Sequence, residues 1–436
     1  MAQLLPNEQR MFAEAEVGRE PASSDEAINE RYVSGEVRIV TEQARYPLTS
    51  IRDMVEGDSY ELNPDFQRRH RWDNQRKSRL IESFIINVPI PPIFLYEAKY
   101  SYYEVMDGLQ RLTAIRDFYA DDFELVGLSE WSELNGRTYS TLPEDIRRGV
   151  DRRYLSSIIL LHETAKDEIE ARRLKQLVFE RINSGGEKLT HQESRNAIYP
   201  GPMNSLCLKL SRNAHLCELW NIPEPTVVEL KTGSPAPEDA VISNKLYRTM
   251  GDAELVLRFF AYRQQLEHQQ GRALTDYLDE YLRLANLLPS DELAELGGVF
   301  ESALEVVHQL FGNRAFLLPK LSNGRWIYPR RPTLTVYDPM MWAAAQKLSR
   351  ASELIANKES APGLLREMYQ ANAESFSGRT ANPADIRARN VLFAELMQAI
   401  ADGRAPAAKE AADELYLEDD GLSDEAALIE LDVVQG

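Results

Sequence analysis

Cysteine is scarce in this chain of 436 residues, which contains only Cys207 and Cys217. Two thiols in so long a chain exclude a disulfide framework, and both lie in segments with helical patterning. The 6 histidines are spread along the sequence, and only His215 lies near a cysteine. Because a structural zinc site needs cysteine and histidine clustered at short spacing, the sequence predicts no structural zinc site.

Long apolar runs are also lacking. No stretch approaches the roughly 18 uncharged apolar residues that a membrane span needs. The first residues do not show the basic region followed by an apolar region that marks a secretory signal. We therefore expect a cytoplasmic protein without membrane contact.

Basic residues are in the minority, since 50 Lys and Arg stand against 69 Asp and Glu and give a net charge of -19. This charge repels nucleic acid and excludes a protein that coats DNA without specificity. From Glu410 onward the chain holds ten acidic residues and no Lys or Arg. This tail is either a solubilising extension or a peptide that docks on a basic partner or on a basic groove of the chain itself.

The patterning of the chain predicts an α+β domain followed by a mainly α-helical domain. We assign a flexible leader to residues 1–30, the α+β domain to 31–200, the helical domain to 201–405 and the acidic tail to 406–436. In the α+β domain, strands are predicted at 37–40, 92–96, 102–106 and 156–161, and helices at 48–55, 73–86 and 109–119.

The helical domain contains one stretch without periodicity, between Asn313 and Pro339, that includes Gly324, Pro329 and Pro332. Irregular segments of this length inside a compact domain often serve a function. We therefore expect a functional or partner-binding loop there.

A first candidate segment is basic and runs from Asn63 to Trp72, with Arg68 near its centre, and continues with Lys77 on the next predicted helix. Guanidinium groups bind phosphate with two hydrogen bonds, and Trp72 suits stacking on a base. The segment fits a phosphorylated ligand or a nucleic-acid backbone. It equally fits a surface charge run in which Phe66 and Trp72 anchor the turn to the core.

A second candidate is the segment Val105 to Leu112, where a strand passes through Gly108 directly into a helix. A helix start presents backbone N–H groups and the positive end of its dipole, and glycine permits close approach of an anion. This pattern suits phosphate binding. Alternatively, Asp107 and Gln110 form a capping box as N-cap and N3 residues, which needs no ligand.

A third candidate runs from Phe179 to Glu193, where a helix ends at a Gly-Gly turn and the next helix starts with Thr190. Glu180 and Asn183 carry oxygen atoms that suit Mg²⁺, and Arg181 can reach a phosphate. Taken alone, the segment is equally a helical hairpin in which Thr190 and Glu193 form a capping box.

In this order, the three segments resemble the domain of unknown function 262 family, the N-terminal domain type of the GmrSD modification-dependent restriction systems. The resemblance covers about residues 45–200, and Asp252 to Phe259 resembles the helical extension of stand-alone members. It rests on Pro64 to Arg68 with Trp72, Ser78 to Ser83, Pro89 to Phe94, Asp107 to Leu112, and Phe179 to Gly186 with Glu193 to Ala197.

The resemblance implies a fold similar to ParB and sulfiredoxin and a role in defence against phages or plasmids. Several members bind and hydrolyse nucleoside triphosphates through a motif written D-G-Q-Q-R, which implies Mg²⁺ and a nucleoside triphosphate as ligands here. The implied catalytic residues are Asp107, Gln110 and Arg111, the implied phosphate-binding residues are Arg68, Lys77, Gly108, Arg111 and Arg181, and the implied metal ligands are Glu180 and Asn183.

Two departures from the family pattern bear on function. Leu109 stands where the motif has its first glutamine, so hydrolysis is slow or absent if that glutamine positions the attacking water. The histidines of the helical half lack the setting of the His-Asn-His nuclease that restriction members often carry. The alternative is therefore a non-enzymatic protein that senses DNA or regulates a separately encoded nuclease or other defence protein.

Overall fold

The computed structural model describes residues 4–13, 25, 29, 39–62, 72–161, 168–183, 190–227, 241, 243–322, 325–376, 382–407 and 414–416. Its contacts divide the chain into two compact units. The sheet unit comprises Arg19–Ile198, and the helical unit comprises Met1–Gly18 together with Tyr199–Gly436. The first helix, α1 (Pro6–Arg10), belongs to the helical unit.

The described part of the sheet unit consists of a five-stranded sheet and six α-helices, interspersed with short 3-10 turns. The strands are β1 (Thr41–Pro47), β2 (Tyr60–Glu61), β3 (Ile93–Lys99), β4 (Tyr102–Asp107) and β5 (Tyr154–Leu160). The helices are α2 (Ile51–Glu56), α3 (Asn74–Ile86), α4 (Leu109–Tyr119), α5 (Glu144–Asp151), α6 (Glu168–Asn183) and α7 (His191–Ile198).

The sheet is mixed and has the strand order β1-β5-β3-β4-β2. The β1–β5 and β3–β4 pairs are antiparallel, whereas β3–β5 and β2–β4 are parallel. Ile93 and Leu95 of the central strand β3 are fully buried, together with Leu112 and Ile115 of α4. This apolar contact fixes α4 on the sheet, so that the β4–α4 junction has a defined position. The predicted α+β class is confirmed for this unit.

Helices α3 and α4 start and end close to the predicted positions because local signals mark their ends. The Asp73 side chain accepts a hydrogen bond from the Arg76 backbone N–H at 2.7 Å, which caps the first turn of α3. At the other end Asn87 adopts a left-handed conformation with φ 63°. In α4 the apolar stripe of Leu112, Ile115 and Phe118 is fully buried, as its spacing predicts.

The first predicted strand was placed wrongly. Ile39 and Val40 of the predicted segment 37–40 belong to no strand, and residues 37–38 lie outside the described residues. Strand β1 instead begins at Thr41 and pairs with β5 from Thr41↔Leu160 to Pro47↔Tyr154. This edge strand is largely exposed and polar, so it carries no alternation of apolar residues by which the sequence could reveal it.

The described part of the helical unit contains α1, eleven further α-helices and three strands. The helices are α8 (Pro202–Leu210), α9 (Ala214–Leu219), α10 (Lys245–Arg248), α11 (Gly251–Tyr262), α12 (Gln265–His268), α13 (Leu274–Ala285), α14 (Ser290–Phe311), α15 (Leu334–Gln346), α16 (Ala351–Ala356), α17 (Ala361–Ala371) and α18 (Pro383–Ala401). The strands are β6 (Lys320–Ser322), β7 (Arg325–Tyr328) and β8 (Glu414–Tyr416). None of the described helices has the length and apolar character that crossing a membrane requires.

Two segments of this unit differ from the sequence-based expectations. Within the expected leader, Pro6–Arg10 form α1, and the following Met11 and Phe12 are buried in the core of the helical unit. Within the expected irregular loop, β6 and β7 form an antiparallel pair, and β8 of the acidic tail joins β7 in parallel. The contacts of α1 and of β8 join segments far apart in sequence, so local patterning does not reveal them, whereas β6 and β7 are neighbours in sequence.

The core of the helical unit contains a buried ion pair between Arg258 of α11 and Asp338 of α15. Arg258 Nε donates to Asp338 Oδ1 at 3.3 Å, and Nη2 donates to Oδ2. The side chains are 6% and 4% exposed. Burial raises the pKa of Asp338, and the nearby Arg258 guanidinium opposes that shift. The pair joins α11 to α15, and loss of either partner would leave a buried charge without its hydrogen-bonded counterion.

We predict that Asp338→Asn destabilises the helical unit strongly, because it leaves the buried Arg258 charge without its carboxylate. Removal of one partner from a buried pair costs about 3 to 5 kcal/mol. Thermal unfolding should show a clear loss of stability. The matched control is Asp402→Asn in the exposed pair with Arg350, which should change little. Equal effects of the two variants would contradict this account of Arg258 and Asp338.

Candidate functional site

The candidate site is built around the turn between β4 and α4. Strand β4 ends at Asp107, Gly108 has a φ of 99°, and α4 begins at Leu109. A Cβ atom at Gly108 would lie 2.8 Å from Cβ of Ile93, which is too close. Glycine is therefore required here both by the left-handed backbone and by the packing of the turn on β3.

The capping box predicted for this turn does not form. The N-cap of α4 is Gly108, which makes no side-chain cap, and Asp107 is the last residue of the preceding strand. The left-handed glycine shifts the helix start by one residue, so the Asp107 carboxylate serves another partner. Its Oδ2 accepts a hydrogen bond from Arg111 Nη2 at 2.6 Å.

The Arg111 guanidinium connects three parts of the sheet unit. Besides Asp107 at the end of β4, it donates through Nη1 to the carbonyl oxygens of Pro91 and of Pro92, the latter at 3.2 Å. These two residues immediately precede β3. The Arg111 side chain is 12% exposed, whereas that of Asp107 is 38% exposed. A phosphate that approaches Arg111 must therefore compete with one carboxylate, and that carboxylate is accessible to solvent.

Gln110 connects this turn to the basic segment. Its Oε1 accepts a hydrogen bond from the backbone N–H of Trp72 at 3.1 Å. Trp72 is partly buried and packs against the core of the sheet unit, as the anchoring interpretation of this residue predicts. The bond places the carboxyl end of the basic segment beside the first turn of α4. Arg68, four positions before Trp72, lies outside the described residues.

Leu109 is 8% exposed and belongs to the hydrophobic core of the sheet unit. The position at which the family motif has its first glutamine therefore faces the protein interior in this chain. An apolar side chain suits that environment better than an amide, whose polar atoms would need partners there. The leucine at position 109 is thus explained by its packing in the core.

Lys77 is not brought to the turn. Its Nζ pairs with a carboxylate oxygen of Asp117 at 2.8 Å and lies 5.3 Å from the ring centre of Phe123. Asp117 follows Leu109 by eight residues, which corresponds to about 12 Å along the axis of α4. Arg116 also pairs with Asp117. The structure thus places Lys77 in contacts between α3, α4 and the loop that follows.

Helix α6 carries the predicted metal ligands Glu180 and Asn183 in its last turn, together with Arg181. The side chains of Glu180 and Asn183 lie outside the described atoms, and Arg181 is exposed. The contact that attaches this helix to the sheet is not evident from the sequence. Lys175 of α6 pairs with Glu104 of β4.

This lysine is also near an aromatic side chain of β3. Its Nζ lies 5.6 Å from the ring centre of Tyr96. Burial raises the pKa of Tyr96, and the Glu104 charge adds to that rise. Lys175 and Glu104 are 71 positions apart, so no local sequence signal connects them.

The start of α7 is the capping box that the sequence predicts. Glu193 Oε2 accepts hydrogen bonds from the backbone N–H of Thr190 at 2.7 Å and from its hydroxyl at 2.8 Å. In return, the Glu193 backbone N–H donates to Thr190 Oγ1 at 3.3 Å. This part of the third segment therefore has a structural role, while its Gly-Gly turn lies outside the described residues.

We predict that Gly108→Ala destabilises the sheet unit more than Gly136→Ala does. Both glycines have a positive φ, but a Cβ at Gly136 would meet no atom within 4 Å. The backbone strain alone costs about 1 to 2 kcal/mol, and Gly108→Ala adds the overlap with Ile93. Thermal unfolding of both variants measures the difference. Equal losses would show that the close packing of the turn on β3 is not required.

The β4–α4 turn lies in the part of the chain that matches a known family model. Residues 51–200 match the family model described as GmrSD restriction endonuclease, N-terminal domain. No curated protein matches the chain, and no solved structure matches it. The match includes the β4–α4 turn, α6 and α7. Over residues 51–200 the chain is thus similar to the N-terminal domain of a restriction endonuclease.

Proposed function

We propose that this chain is a nucleoside triphosphate-binding component of a prokaryotic anti-phage or modification-dependent defence system. It binds the phosphates at the β4–α4 turn and hydrolyses the nucleotide with Mg²⁺. The match of residues 51–200 to a restriction endonuclease domain supports the defence role. We further propose that the sheet unit has a ParB/sulfiredoxin-like fold and that the protein acts in the cytoplasm, where its nucleotide ligand is available.

The observation that carries this proposal is the connection of the α4 start to a basic segment. The first turn of a helix presents N–H groups without intrahelical acceptors, and its dipole favours an anion. The Gln110–Trp72 hydrogen bond holds the carboxyl end of the basic segment beside this first turn. Backbone donors and guanidinium groups together form the kind of cradle that binds phosphate.

Asp107 has a chemically sensible role in this proposal. Its carboxylate now neutralises Arg111 at 2.6 Å and is partly exposed. A carboxylate oxygen is a preferred ligand of Mg²⁺, so Asp107 suits the metal that accompanies a triphosphate. Once Asp107 turns to the metal, the Arg111 guanidinium becomes available to a phosphate oxygen. Bound Mg²⁺ would supply further neutralisation of the phosphate charge.

The other predicted residues take supporting roles in the proposal. Arg68 adds positive charge to the phosphates from the basic segment, and Arg181 does so from α6. Glu180 and Asn183 offer oxygen ligands to the metal from the same helical turn. Lys77 reaches a phosphate only if its pair with Asp117 opens. For hydrolysis, a water attacks the terminal phosphorus, the bond to the bridging oxygen breaks, and inorganic phosphate and the nucleoside diphosphate leave. Gln110 is the amide of this turn that can orient the water.

The alternative is a non-enzymatic protein that senses DNA or regulates a separately encoded nuclease or other defence protein. Two observations favour it. Leu109 is buried in the core, and Arg111 is bonded to Asp107 and to the carbonyls before β3. DNA binding that weakens steeply with salt in the absence of nucleotide would support this alternative. Loss of a nuclease partner on deletion of residues 406–436 would support the regulatory version.

We predict that Arg111→Ala abolishes binding of Mg²⁺-nucleoside triphosphate, measured by calorimetry with each of the four common bases. The matched control is Arg116→Ala on the same helix, which should bind like the parent because Arg116 pairs with Asp117. Absence of binding by the parent protein with all four bases would refute the proposal.

Because Arg111 also anchors the segment before β3, a second variant separates binding from folding. Asp107→Asn removes the carboxylate that neutralises Arg111 and keeps the shape of the side chain. It should strengthen triphosphate binding without Mg²⁺ and weaken the additional effect of Mg²⁺. If Asp107→Asn changes neither the affinity for triphosphate without Mg²⁺ nor the additional effect of Mg²⁺, the Asp107–Arg111 pair does not take part in ligand binding.

Leu109 faces the core, where the amide of a glutamine would need partners. We therefore expect the side chain in Leu109→Gln to turn out of the core towards the water beside Gln110, and we predict a higher rate of triphosphate hydrolysis. A glutamine amide orients the attacking water and transfers no proton, so the gain comes from alignment of the water alone. The size-matched control Leu109→Met keeps an apolar side chain in the core and should leave turnover unchanged. Release of inorganic phosphate measures the rate. An unchanged rate in a Leu109→Gln protein that still binds nucleotide would exclude a water-positioning role at this position.

A further inference from the structure

The helical unit brings together four side chains that its sequence keeps far apart. His215 and Glu218 belong to the short helix α9, and Glu305 and His308 belong to the long helix α14. Within each helix the two residues are three positions apart, so they lie on the same helical face. These two faces contact each other, although Glu218 and His308 are 90 positions apart in the sequence.

The contacts within this cluster are short and reciprocal. His215 Nε2 lies 2.9 Å from Glu305 Oε2, and His308 Nε2 lies 2.9 Å from Glu218 Oε2. The two imidazole rings stack with their centres 4.0 Å apart and an interplanar angle of 24°. Each helix therefore contributes one imidazole and one carboxylate, and each carboxylate meets the imidazole of the other helix.

These side chains have the chemistry and spacing of metal ligands. One ligand atom each from His215, Glu218 and His308 lies within 4.8 Å of the other two. Tetrahedral Zn²⁺ binds nitrogen and oxygen at about 2.0 to 2.2 Å, which puts its ligand atoms about 3.4 Å apart. The side chains are partly exposed, between 24% and 44%. They have room to turn, and the two stacked rings must rotate until their nitrogen lone pairs converge on the ion.

Glu305 completes the arrangement. The Gln309 amide donates a hydrogen bond to its other carboxylate oxygen. Glu305 can serve as the fourth ligand or orient His215 from outside, as carboxylates do beside many metal-bound histidines.

We propose that His215, Glu218 and His308, with Glu305, form a site for one divalent transition-metal ion, with Zn²⁺ as the expected occupant. Two imidazole nitrogens and carboxylate oxygens suit Zn²⁺ far better than Mg²⁺, which prefers oxygen ligands alone. The ion bridges α9 to α14 and stabilises the helical unit. This site is separate from the proposed nucleotide site, which lies in the sheet unit.

The alternative is that the cluster consists only of two histidine–glutamate pairs on the protein surface. The two explanations predict different responses to metal. A metal site binds one ion per chain and gains thermal stability from it, since the ion binds the folded state. Acid weakens the binding, because a protonated imidazole cannot coordinate the ion. Surface pairs alone give no saturable binding.

The test uses the full chain after removal of metal by chelation. Calorimetry with Zn²⁺ should show one binding event per chain, and the thermal unfolding midpoint should rise on Zn²⁺ addition. His308→Ala and Glu218→Gln should each weaken Zn²⁺ binding, the first by about 100-fold or more. The Glu218→Gln variant retains the size of the side chain, so it distinguishes a lost ligand from a folding defect.

The control variant is His191→Ala, which removes an exposed histidine of the sheet unit and should bind Zn²⁺ like the parent. Excess Mg²⁺ should not displace Zn²⁺. Absence of stoichiometric Zn²⁺ binding by the parent protein would overturn the proposal. Equal binding by the parent, His308→Ala and Glu218→Gln would also overturn it, because the ion would then lie elsewhere.

Discussion

The hydrogen bonds of the Arg111 guanidinium hold the β4–α4 junction in its observed form. They connect the first turn of α4 to the carboxylate that ends β4 and to the carbonyls that precede β3. Hydrogen bonds to a charged donor are stronger than neutral ones, and the Arg111 side chain is only 12% exposed. Apolar packing fixes α4 on the sheet, and the Arg111 side chain adds the polar contacts on which the proposed phosphate cradle depends.

The same hydrogen bonds set the main condition for the proposed function. A guanidinium that already has a carboxylate partner binds phosphate only if that carboxylate moves or is neutralised. Asp107 is more exposed than Arg111, so it is the partner with room to move. Mg²⁺ favours this movement of Asp107, because the ion competes with Arg111 for the carboxylate. Metal and nucleotide binding are therefore coupled in this account.

Sequence predicts those parts of the fold that local signals determine. The Asp73 cap, the apolar stripe of α4 and the Thr190–Glu193 capping box placed helices correctly, because each acts within four residues. The polar edge strand β1 and the pairing of β8 with β7 were not predictable, since both depend on distant strands.

For the sites, too, the sequence reveals only what local signals determine. Sequence located the Gly108 turn, but the partners of Lys77 and Arg111 and the approach of His215 to His308 arise only from packing.

Hydrogen–deuterium exchange at the β4–α4 turn is the sharpest test of phosphate binding there, because it measures whether a ligand covers these amides. With saturating Mg²⁺ and a non-hydrolysable triphosphate, exchange should slow at residues 108–112, while the distant turn around Gly136 should remain unchanged. Unchanged exchange at 108–112 under conditions in which nucleotide is bound would contradict the account, since the phosphates would then lie elsewhere.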